Sequence, residues 1–427
     1  MLDLNFVRAN PEAVRNDLRK RGWNEKIQLV DDLLKYDKQW KELKGEVDEF
    51  RHQRNIISEK INEFAKAKKD VSLLLKEAKA LPEAIKDAEE RLNTMKTEID
   101  FILMRLPNVL HSSVSVGKDD TENKVERTWG KHRQFDFELK PHGELAQEIL
   151  GIADFERAAK ISGNGFYFLK GDLALLNQAL IRFAIDNLAK KGYTFVEPPY
   201  LMHRKPYEGV TDLADFETMM YKIENEDLYL IATSEHPMAA MYMDETIPEE
   251  ELPIKFVGLS PCFRKEIGSH GVDTKGLFRV HQFHKIEQFI FCRPEESWNY
   301  HEELIKNAEE IFQKLGLPYR VVSICTGDIG TVASKKYDIE VWMPREEKYR
   351  EVVSCSNCTS YQAVRLNIRY SNKEGKKEYL HTLNSTAIAT GRAMRAILEN
   401  YQNKDGSIDV PKALVPYFGK DKIEKKK

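Results

Sequence analysis

The chain has 427 residues, of which 32% are charged and 41% hydrophobic, and its formal net charge is −3. This composition is typical of soluble globular proteins, and the length predicts two or three domains. The net charge argues weakly against bulk affinity for nucleic acid, so a contact with RNA requires local patches of positive charge. No run reaches the roughly 18 consecutive apolar residues that span a bilayer, and Asp3, Arg8 and Glu12 come too early for a secretory signal. A cytoplasmic protein without membrane contact is therefore expected.

Residues 27–106 carry apolar side chains at alternating steps of three and four, with one break at residues 65–71. The two runs are Leu33, Tyr36, Trp40, Leu43, Val47, Phe50, Arg54, Ile57, Ile61 and Phe64, and then Leu74, Ala78, Leu81, Ile85, Ala88, Leu92, Met95, Ile99, Ile102 and Leu106, with Arg54 as the one charged residue. This period predicts two helices of about 50 Å that pack as an antiparallel coiled coil. We therefore expect an N-terminal helical arm at residues 1–106 and a second domain at residues 107–427.

Two interpretations of this arm remain open. A coiled coil usually serves as a scaffold or a dimerisation element. Around the predicted tip, however, basic side chains outnumber acidic ones, which would suit a polyanion. The basic residues there are Arg51, Arg54, Lys60, Lys66, Lys68, Lys69, Lys76 and Lys79, against Glu59, Glu63, Asp70 and Glu77. Since a charge run is usually a solvated face, the bias favours the polyanion only weakly.

From about residue 110 the heptads end and a mixed domain begins. The predicted strands are residues 193–197, 228–232, 254–259, 278–291, 337–343, 349–354 and 363–370, and the predicted helices are residues 172–190, 235–244, 295–315 and 387–401. Strands often follow strands directly, which indicates an antiparallel sheet flanked by helices, an α+β fold. No Gly-rich phosphate loop of the P-loop or Rossmann type follows a strand, so nucleotide binding requires another kind of site.

Charged residues concentrate in the stretch from residue 261 to residue 287. Arg264 and Glu266 precede a Gly-rich connection, and Arg279, His281 and Glu287 follow it. Two strands joined there would place these groups side by side, and arginine forks suit phosphate and carboxylate oxygens. An ordinary ladder of ion pairs on a hairpin is the alternative interpretation.

Three signatures together resemble those of the class II aminoacyl-tRNA synthetases. The second signature matches Phe263-Arg264-Lys265-Glu266, the proline of the first fits Pro199, and the third fits Gly391-Arg392. Three further segments resemble the seryl-tRNA synthetases of that class. They are Thr233-Ser234-Glu235, the stretch from Glu351 to Gln362, and Leu383-Asn384-Ser385-Thr386.

The resemblance covers nearly the whole chain and implies a fold, an assembly and a reaction. The fold is an antiparallel catalytic sheet behind a helical arm, and the assembly is a homodimer through the catalytic core with Pro199 near the interface. In the reaction, serine attacks the α-phosphorus of ATP to give seryl-adenylate and pyrophosphate, and serine then passes to the 3′ end of tRNA(Ser). The arm would grip that tRNA by shape and backbone. The sequence leaves open whether tRNA(Sec) is also charged.

The resemblance also assigns the ATP site, where the chemistry needs positioning and charge stabilisation at phosphorus. Arg264 and Arg392 are the expected catalytic residues, on the α-phosphate and the γ-phosphate. Glu351 and Ser354 would hold Mg²⁺, which prefers hard oxygens. The remaining expected ATP-binding residues are Lys265, Glu266, Val280, Phe283, Val352 and Val353.

Serine selection is assigned in the same way. A site that bonds the substrate hydroxyl rejects alanine, because its polar groups would then be unpaired. Glu287 and Thr386 are expected at the hydroxyl, and Arg264 at the serine carboxylate. The other expected serine-binding residues are Thr233, Ser234, Glu235 and Asn384. An alternative role for Thr386 is the N-cap of the last predicted long helix.

Two features depart from a simple match, and a pair of cysteines within the matching stretch raises the question of a metal site. Where many relatives read Gln-Ala-Arg-Arg, this chain has Val364 before Arg365, so Val364 receives no polar role and Arg365 only a weak one. Asn384-Ser385-Thr386 replaces the Asn-Gly-Ser of many bacterial relatives, yet a hydroxyl is retained. Cys355 and Cys358 have the spacing of metal ligands, but a structural zinc needs four and no second pair accompanies them, so no zinc is expected.

Two other functions compete with this interpretation. A non-enzymatic scaffold on the same fold need not retain the polar residues Arg264, Glu266, Glu287, Glu351 and Arg392 together. A relative that loads an amino acid onto a protein carrier needs no arm that reads tRNA. The chain has both the polar set and the arm, which favours the synthetase.

Overall fold

The computed structural model describes residues 1–212, 218–266 and 276–425. The chain divides into two compact units, Met1–Val109 and Leu110–Lys427. None of the helices in these described residues is both long and apolar enough to cross a membrane.

The first unit is built around two long helices. Its elements are α1 (Leu4–Ala9), α2 (Pro11–Lys20), a single turn at Asn24–Lys26, α3 (Ile27–Lys66) and α4 (Ser72–Leu103). The long helices run antiparallel, because Arg51 of α3 pairs with Glu89 of α4 at 2.7 Å and Glu46 pairs with Arg91 at 3.7 Å. The apolar residues of both predicted runs are buried or half-buried, whereas Arg54 is exposed. The expected helical hairpin is therefore confirmed.

Local contacts close both ends of this hairpin. At the turn, the Asp70 carboxylate accepts hydrogen bonds from the backbone N–H and the hydroxyl of Ser72, at 2.9 and 2.5 Å, and so satisfies a free donor in the first turn of α4. At the other end, the buried Arg21 donates to Asp17 at 2.9 Å and to the carbonyl of Asn108 at 2.8 Å. The chain leaving the hairpin is thus tied to α2.

The second unit contains one large sheet and several short ribbons. Within the described residues the large sheet has eight strands: β1 (Lys124–Trp129), β2 (Thr194–Val196), β3 (Ile254–Phe263), β4 (Gln282–Cys292), β5 (Tyr319–Ser323), β6 (Lys335–Met343), β7 (Lys348–Thr359) and β8 (His381–Ala389). Their order is β1-β5-β6-β7-β8-β4-β3-β2. All neighbours pair antiparallel except β2 with β3. The expected antiparallel sheet is confirmed.

Helices cover both sides of this sheet. The helices of this unit include α5 (Phe155–Ser162), α6 (Gly171–Ala189), α7 (Arg204–Val210), α8 (Glu235–Ala239), α9 (Ser297–Lys314), α10 (Tyr361–Leu366) and α11 (Thr390–Asn400). The larger core lies on one side and joins α6, α9 and α11 to inward side chains such as Ile286 and Val353. A smaller core on the other side joins α7, α8 and α10 to Phe289 and Phe291. Polar side chains of the central strands, among them Glu287, Ser354 and Thr386, also lie on that second side.

Several predicted elements differ from the observed ones. The predicted strand at residues 363–370 is wrong, because α10 occupies Tyr361–Leu366 and only Arg369–Ser371 is a strand. The strands β1, β5 and β8 were not predicted. Since β8 extends to Ala389 and α11 begins at Thr390, Thr386 lies within a strand, so its predicted role as a helix N-cap is wrong.

Candidate active site

The second side of the sheet encloses a cavity of about 420 Å³. Its floor is formed by alternate residues of three central strands, Phe283, Lys285 and Glu287 on β4, Ser354 and Ser356 on β7, and Asn384 and Thr386 on β8. Its walls come from loops and helix ends, among them residues 210–212, 232–233, 235–236 and 329–333. A smaller pocket of about 150 Å³ shares Arg264, Phe283 and Arg392 with it.

Glu235 forms one acidic end of the cavity. Its Oε1 accepts hydrogen bonds from the side-chain amides of Gln362 and Asn384, both at 3.0 Å. Its backbone N–H donates to the hydroxyl of Thr233 at 3.1 Å. Burial, reinforced by the charge of Glu287, raises the pKa of Glu235 to about 7. A cationic ligand would favour the ionised form of this carboxylate.

A second buried carboxylate, Glu287, lies beside a cation on the same strand. Lys285 Nζ is 2.6 Å from Glu287 Oε2, and the hydroxyl of Thr386 donates to the same oxygen at 3.3 Å. Burial raises the pKa of Glu287, while Lys285 and Thr386 oppose that rise. The sequence analysis missed Lys285, although its two-residue spacing from Glu287 on a predicted strand was a usable signal.

Two arginines occupy the cavity where it meets the smaller pocket. The guanidinium carbon of Arg264 lies 5.4 Å from the centroid of the Phe283 ring, and its hydrogen bond to the carbonyl of Ala232 is long, at 3.5 Å. Arg392 donates to the carboxylate and the carbonyl of Glu351, at 2.9 and 3.0 Å. Its guanidinium carbon also lies 5.1 Å from the centroid of the Phe278 ring. Both cations therefore lie next to an aromatic ring.

Glu351 and Ser354 line the cavity near Lys336, which the sequence analysis also missed. Desolvation raises the pKa of Glu351, but the attraction of Arg392 and Lys336 more than reverses this, so the pKa lies below its ordinary value. On the neighbouring strand, burial raises the pKa of Asp338 to about 7. Glu351 is thus the carboxylate held ionised at this end.

The other predicted ATP-binding residues are divided between the two pockets and the protein interior. Val352 lines the larger cavity, and Glu266 and Val280 line the smaller pocket. Val353 is part of the core on the opposite side of the sheet. Lys265 lines neither pocket, and its ammonium lies 5.9 Å from the centroid of the Tyr221 ring.

Among the predicted serine-binding residues, Thr233, Glu235, Arg264, Glu287, Asn384 and Thr386 all line the larger cavity. Ser234 is fully buried, and its hydroxyl donates to the carbonyl of Gly258 at 3.3 Å. The geometry therefore brings together the predicted polar groups except Ser234.

The two closely spaced cysteines lie in different surroundings. Cys355 belongs to the large core, whereas Cys358 lines the cavity and accepts a hydrogen bond from the Asn384 amide at 3.6 Å. Within residues 1–212, 218–266 and 276–425, no three His, Cys, Asp or Glu side chains are grouped as ligands for a metal ion. All five cysteines lie within the described residues, where they are buried and form no disulfide.

The fold and the cavity define a class, because residues 217–401 match the family model of the class II tRNA synthetase core domain (G, H, P, S and T). Residues 1–110 match the model of the seryl-tRNA synthetase N-terminal domain. The serine–tRNA ligase of Methanoculleus marisnigri is 64% identical over 98% of this chain and 99% of its own. The chain belongs to the seryl-tRNA synthetase family, and the resemblance found in the sequence is confirmed.

Solved structures agree with this assignment. The crystal structure of seryl-tRNA synthetase from Pyrococcus horikoshii complexed with ATP matches with a TM-score of 0.94 and 50% identity, over 100% of both chains. The cytoplasmic serine–tRNA ligase from Naegleria fowleri in complex with AMP matches with a TM-score of 0.89 and 37% identity, over 100% of this chain and 99% of that one.

Proposed function

We propose that this chain activates L-serine with ATP, releasing pyrophosphate, and transfers serine from seryl-adenylate to the 3′ end of tRNA(Ser). The observation that carries the proposal is the cavity itself, which has two carboxylates at one end and two arginines at the other. An amino acid with a hydroxyl side chain fits the first end, and a polyphosphate fits the second. The ATP and AMP named for the two similar structures support the binding of an adenine nucleotide.

Serine recognition in this proposal uses four kinds of contact. Glu235 receives the ammonium group together with Thr233. Two amide donors engage Oε1 of Glu235, so its other oxygen is the one that faces the substrate. Glu287 and Thr386 bond the side-chain hydroxyl, and Arg264 binds the carboxylate. Asn384 and Ser234 shape the pocket, Asn384 through Glu235 and Ser234 through the buried contact with Gly258.

ATP activation then depends on charge placed around the phosphates. Arg264 stabilises the charge that develops at the α-phosphate, and Arg392 binds the γ-phosphate. Phe283 and Phe278 offer rings beside the arginines, and Val280 with Glu266 lines the smaller pocket for adenine.

A magnesium ion fits the phosphate end of the cavity. Glu351 is kept ionised there and Ser354 supplies a hydroxyl, which matches the preference of Mg²⁺ for one or two protein oxygens together with phosphates. When bound, the ion neutralises phosphate charge. Arg392, which engages Glu351 in this structure, would exchange that partner for the γ-phosphate. Val352 and Val353 lie between these two proposed magnesium ligands on the same strand.

Two features support the proposed partners. The helical arm at residues 1–106 is basic around its tip, which suits the backbone of tRNA(Ser), and tRNA(Sec) is a second substrate to assay. In the catalytic unit at residues 107–427, Phe195, Tyr200 and Leu201 are exposed beside Pro199, an apolar surface that suits a homodimer interface. We expect the dimer to act in the cytoplasm.

Serine-dependent exchange of pyrophosphate into ATP tests the proposal directly. We expect exchange with serine and Mg²⁺, and far less with threonine, alanine or cysteine as controls. Absence of exchange with every amino acid, in folded protein, would favour the scaffold. Exchange without subsequent charging of tRNA(Ser) would favour an enzyme that loads a different carrier.

A further inference from the structure

Gln362 is a fully buried side chain behind the amino-acid end of the cavity. It lies on α10, and its Nε2 donates to Glu235 Oε1 and to the carbonyl of Val210, both at 3.0 Å. Its Oε1 accepts a hydrogen bond from the hydroxyl of Thr382 at 2.6 Å. Thr382 is also fully buried, on β8.

The chemistry of these partners fixes the orientation of the amide. The backbone carbonyl of Val210 can only accept hydrogen bonds, and so can the Glu235 carboxylate when it is ionised. The NH₂ group of Gln362 must therefore face both of them. Its oxygen must then face Thr382, whose hydroxyl is left to donate. Reversing the amide would place its oxygen against the carbonyl of Val210 and leave buried groups unpaired, which is costly.

This arrangement controls one oxygen of Glu235 and leaves the other available. Oε1 accepts from Gln362 and Asn384, whereas no described residue donates to Oε2. Because two N–H groups grip Oε1 from β8 and from α10, the carboxylate cannot turn freely. Oε2 is the oxygen left for a ligand in the cavity, which Glu235 lines.

We propose that Gln362 and Thr382 are positioning residues for serine, which hold the Glu235 carboxylate in the orientation that receives the substrate ammonium group. The inference rests on the proposed role of Glu235. Neither residue touches the cavity, so each acts through Glu235.

The electrostatics give the proposal a measurable signature. The groups that face Glu235 are Glu287 and Lys285 from β4, Arg264 after β3, Gln362 from α10, Cys358 from β7, Asn384 from β8 and His236 on its own helix. Burial and Glu287 raise the pKa of Glu235, while the bond from Gln362 is among the contacts that lower it. Loss of that bond therefore moves the pKa upward, and the ionised form appears only at higher pH.

The test compares Thr382→Val, which keeps the shape of the side chain and removes the donor, with Thr382→Ser, which keeps the donor. Pyrophosphate exchange is measured from pH 6 to 9, with KM determined separately for serine and for ATP. We expect Thr382→Val to raise the KM for serine about tenfold, with the KM for ATP unchanged. Thr382→Ser should restore the wild-type value. In Gln362→Met, the pH at which the KM for serine falls should move to higher pH.

Equal rises in KM for both substrates, or the same loss in Thr382→Ser as in Thr382→Val, would indicate a structural role and overturn the proposal. The proposal would also be overturned if Thr382→Val had the same KM for serine and the same pH profile as the wild-type protein. If Gln362→Met does not fold, the Thr382 pair decides alone. Failure of the proposed function looks different, since wild-type protein would then show no serine-dependent exchange at all.

Discussion

Glu351 and Ser354 face the same cavity, although they lie three residues apart on one strand. Side chains at odd spacing on a regular strand point to opposite sides of the sheet. A β-bulge at Val352 resolves this, because Ile339 pairs with Val353 and Glu340 with Glu351, leaving Val352 without a partner across the strand. The extra residue shifts the alternation by one. A carboxylate and a hydroxyl thereby become available to the same ligand.

The first prediction concerns this pair. Glu351→Gln should lower the exchange rate about 100-fold and raise the Mg²⁺ concentration needed for half-maximal rate, because the amide removes a negative charge from the proposed metal site. The measurement is exchange rate against Mg²⁺ concentration. Glu347→Gln is the control, since Glu347 is an exposed residue of the turn before β7. An unchanged Mg²⁺ dependence in Glu351→Gln contradicts the assignment.

How far the sequence predicts the site depends on the kind of residue. Polar residues inside recognisable motifs, such as Arg264, Glu287 and Thr386, were expected at the site, and the structure places them in one cavity. Residues whose role follows only from packing were missed. Gln362 lies on a helix that was not predicted, directly before residues 363–370 for which a strand was predicted, so its approach to Glu235 could not be inferred.

The missed strand β8 has a physical explanation. Eight of its nine residues are buried, so its sequence does not alternate between apolar and polar residues as a half-exposed strand would. Its last residues, Ala387 to Ala389, are followed directly by α11. Because they are small and apolar, they fit the apolar pattern of that helix and add three residues to its predicted N-terminus. The predicted helix therefore began three residues early. The long helices of the arm were found because their period is sustained over many turns.

Arg264→Ala should reduce adenylate formation about 100- to 1000-fold while the protein stays folded, because the residue is expected to stabilise charge at the α-phosphate. The Arg264 side chain donates one long hydrogen bond, to the carbonyl of Ala232, and lies beside Phe283, so its loss breaks no close ion pair among the described residues. The measurement is pyrophosphate exchange, with circular dichroism to verify folding. Arg345→Ala, at an exposed position, is the matched control. Near-normal exchange in a folded Arg264→Ala protein would refute the role.

In Lys285→Met, the pH at which serine activation becomes efficient should move to higher values. Burial raises the pKa of Glu287 and Lys285 opposes that rise, so removing the cation moves the pKa further upward. At neutral pH more of Glu287 is then protonated, and the KM for serine should be high and fall as pH increases. Lys255→Met is the control, because Lys255 also pairs with a glutamate, the more exposed Glu303, at 2.9 Å and does not line the cavity. Identical pH profiles for the two variants argue against Glu287 as the hydroxyl acceptor.

Replacement of residues 30–105 by a short linker should leave adenylate formation intact and abolish charging of tRNA(Ser). The catalytic unit has its own core around α6, α9 and α11, and all the residues that line the cavity belong to that unit. The basic tip of the arm is the part expected to hold the tRNA backbone. The two steps are measured separately, by pyrophosphate exchange and by attachment of labelled serine to tRNA. A milder variant replaces four lysines of the tip by alanine: Lys66, Lys68, Lys69 and Lys76. It should charge tRNA(Ser) more weakly, and its charging should depend less on salt concentration. Charging at the wild-type rate without the arm would show that tRNA is held elsewhere, and loss of both steps would show that the arm is needed for the catalytic unit to fold.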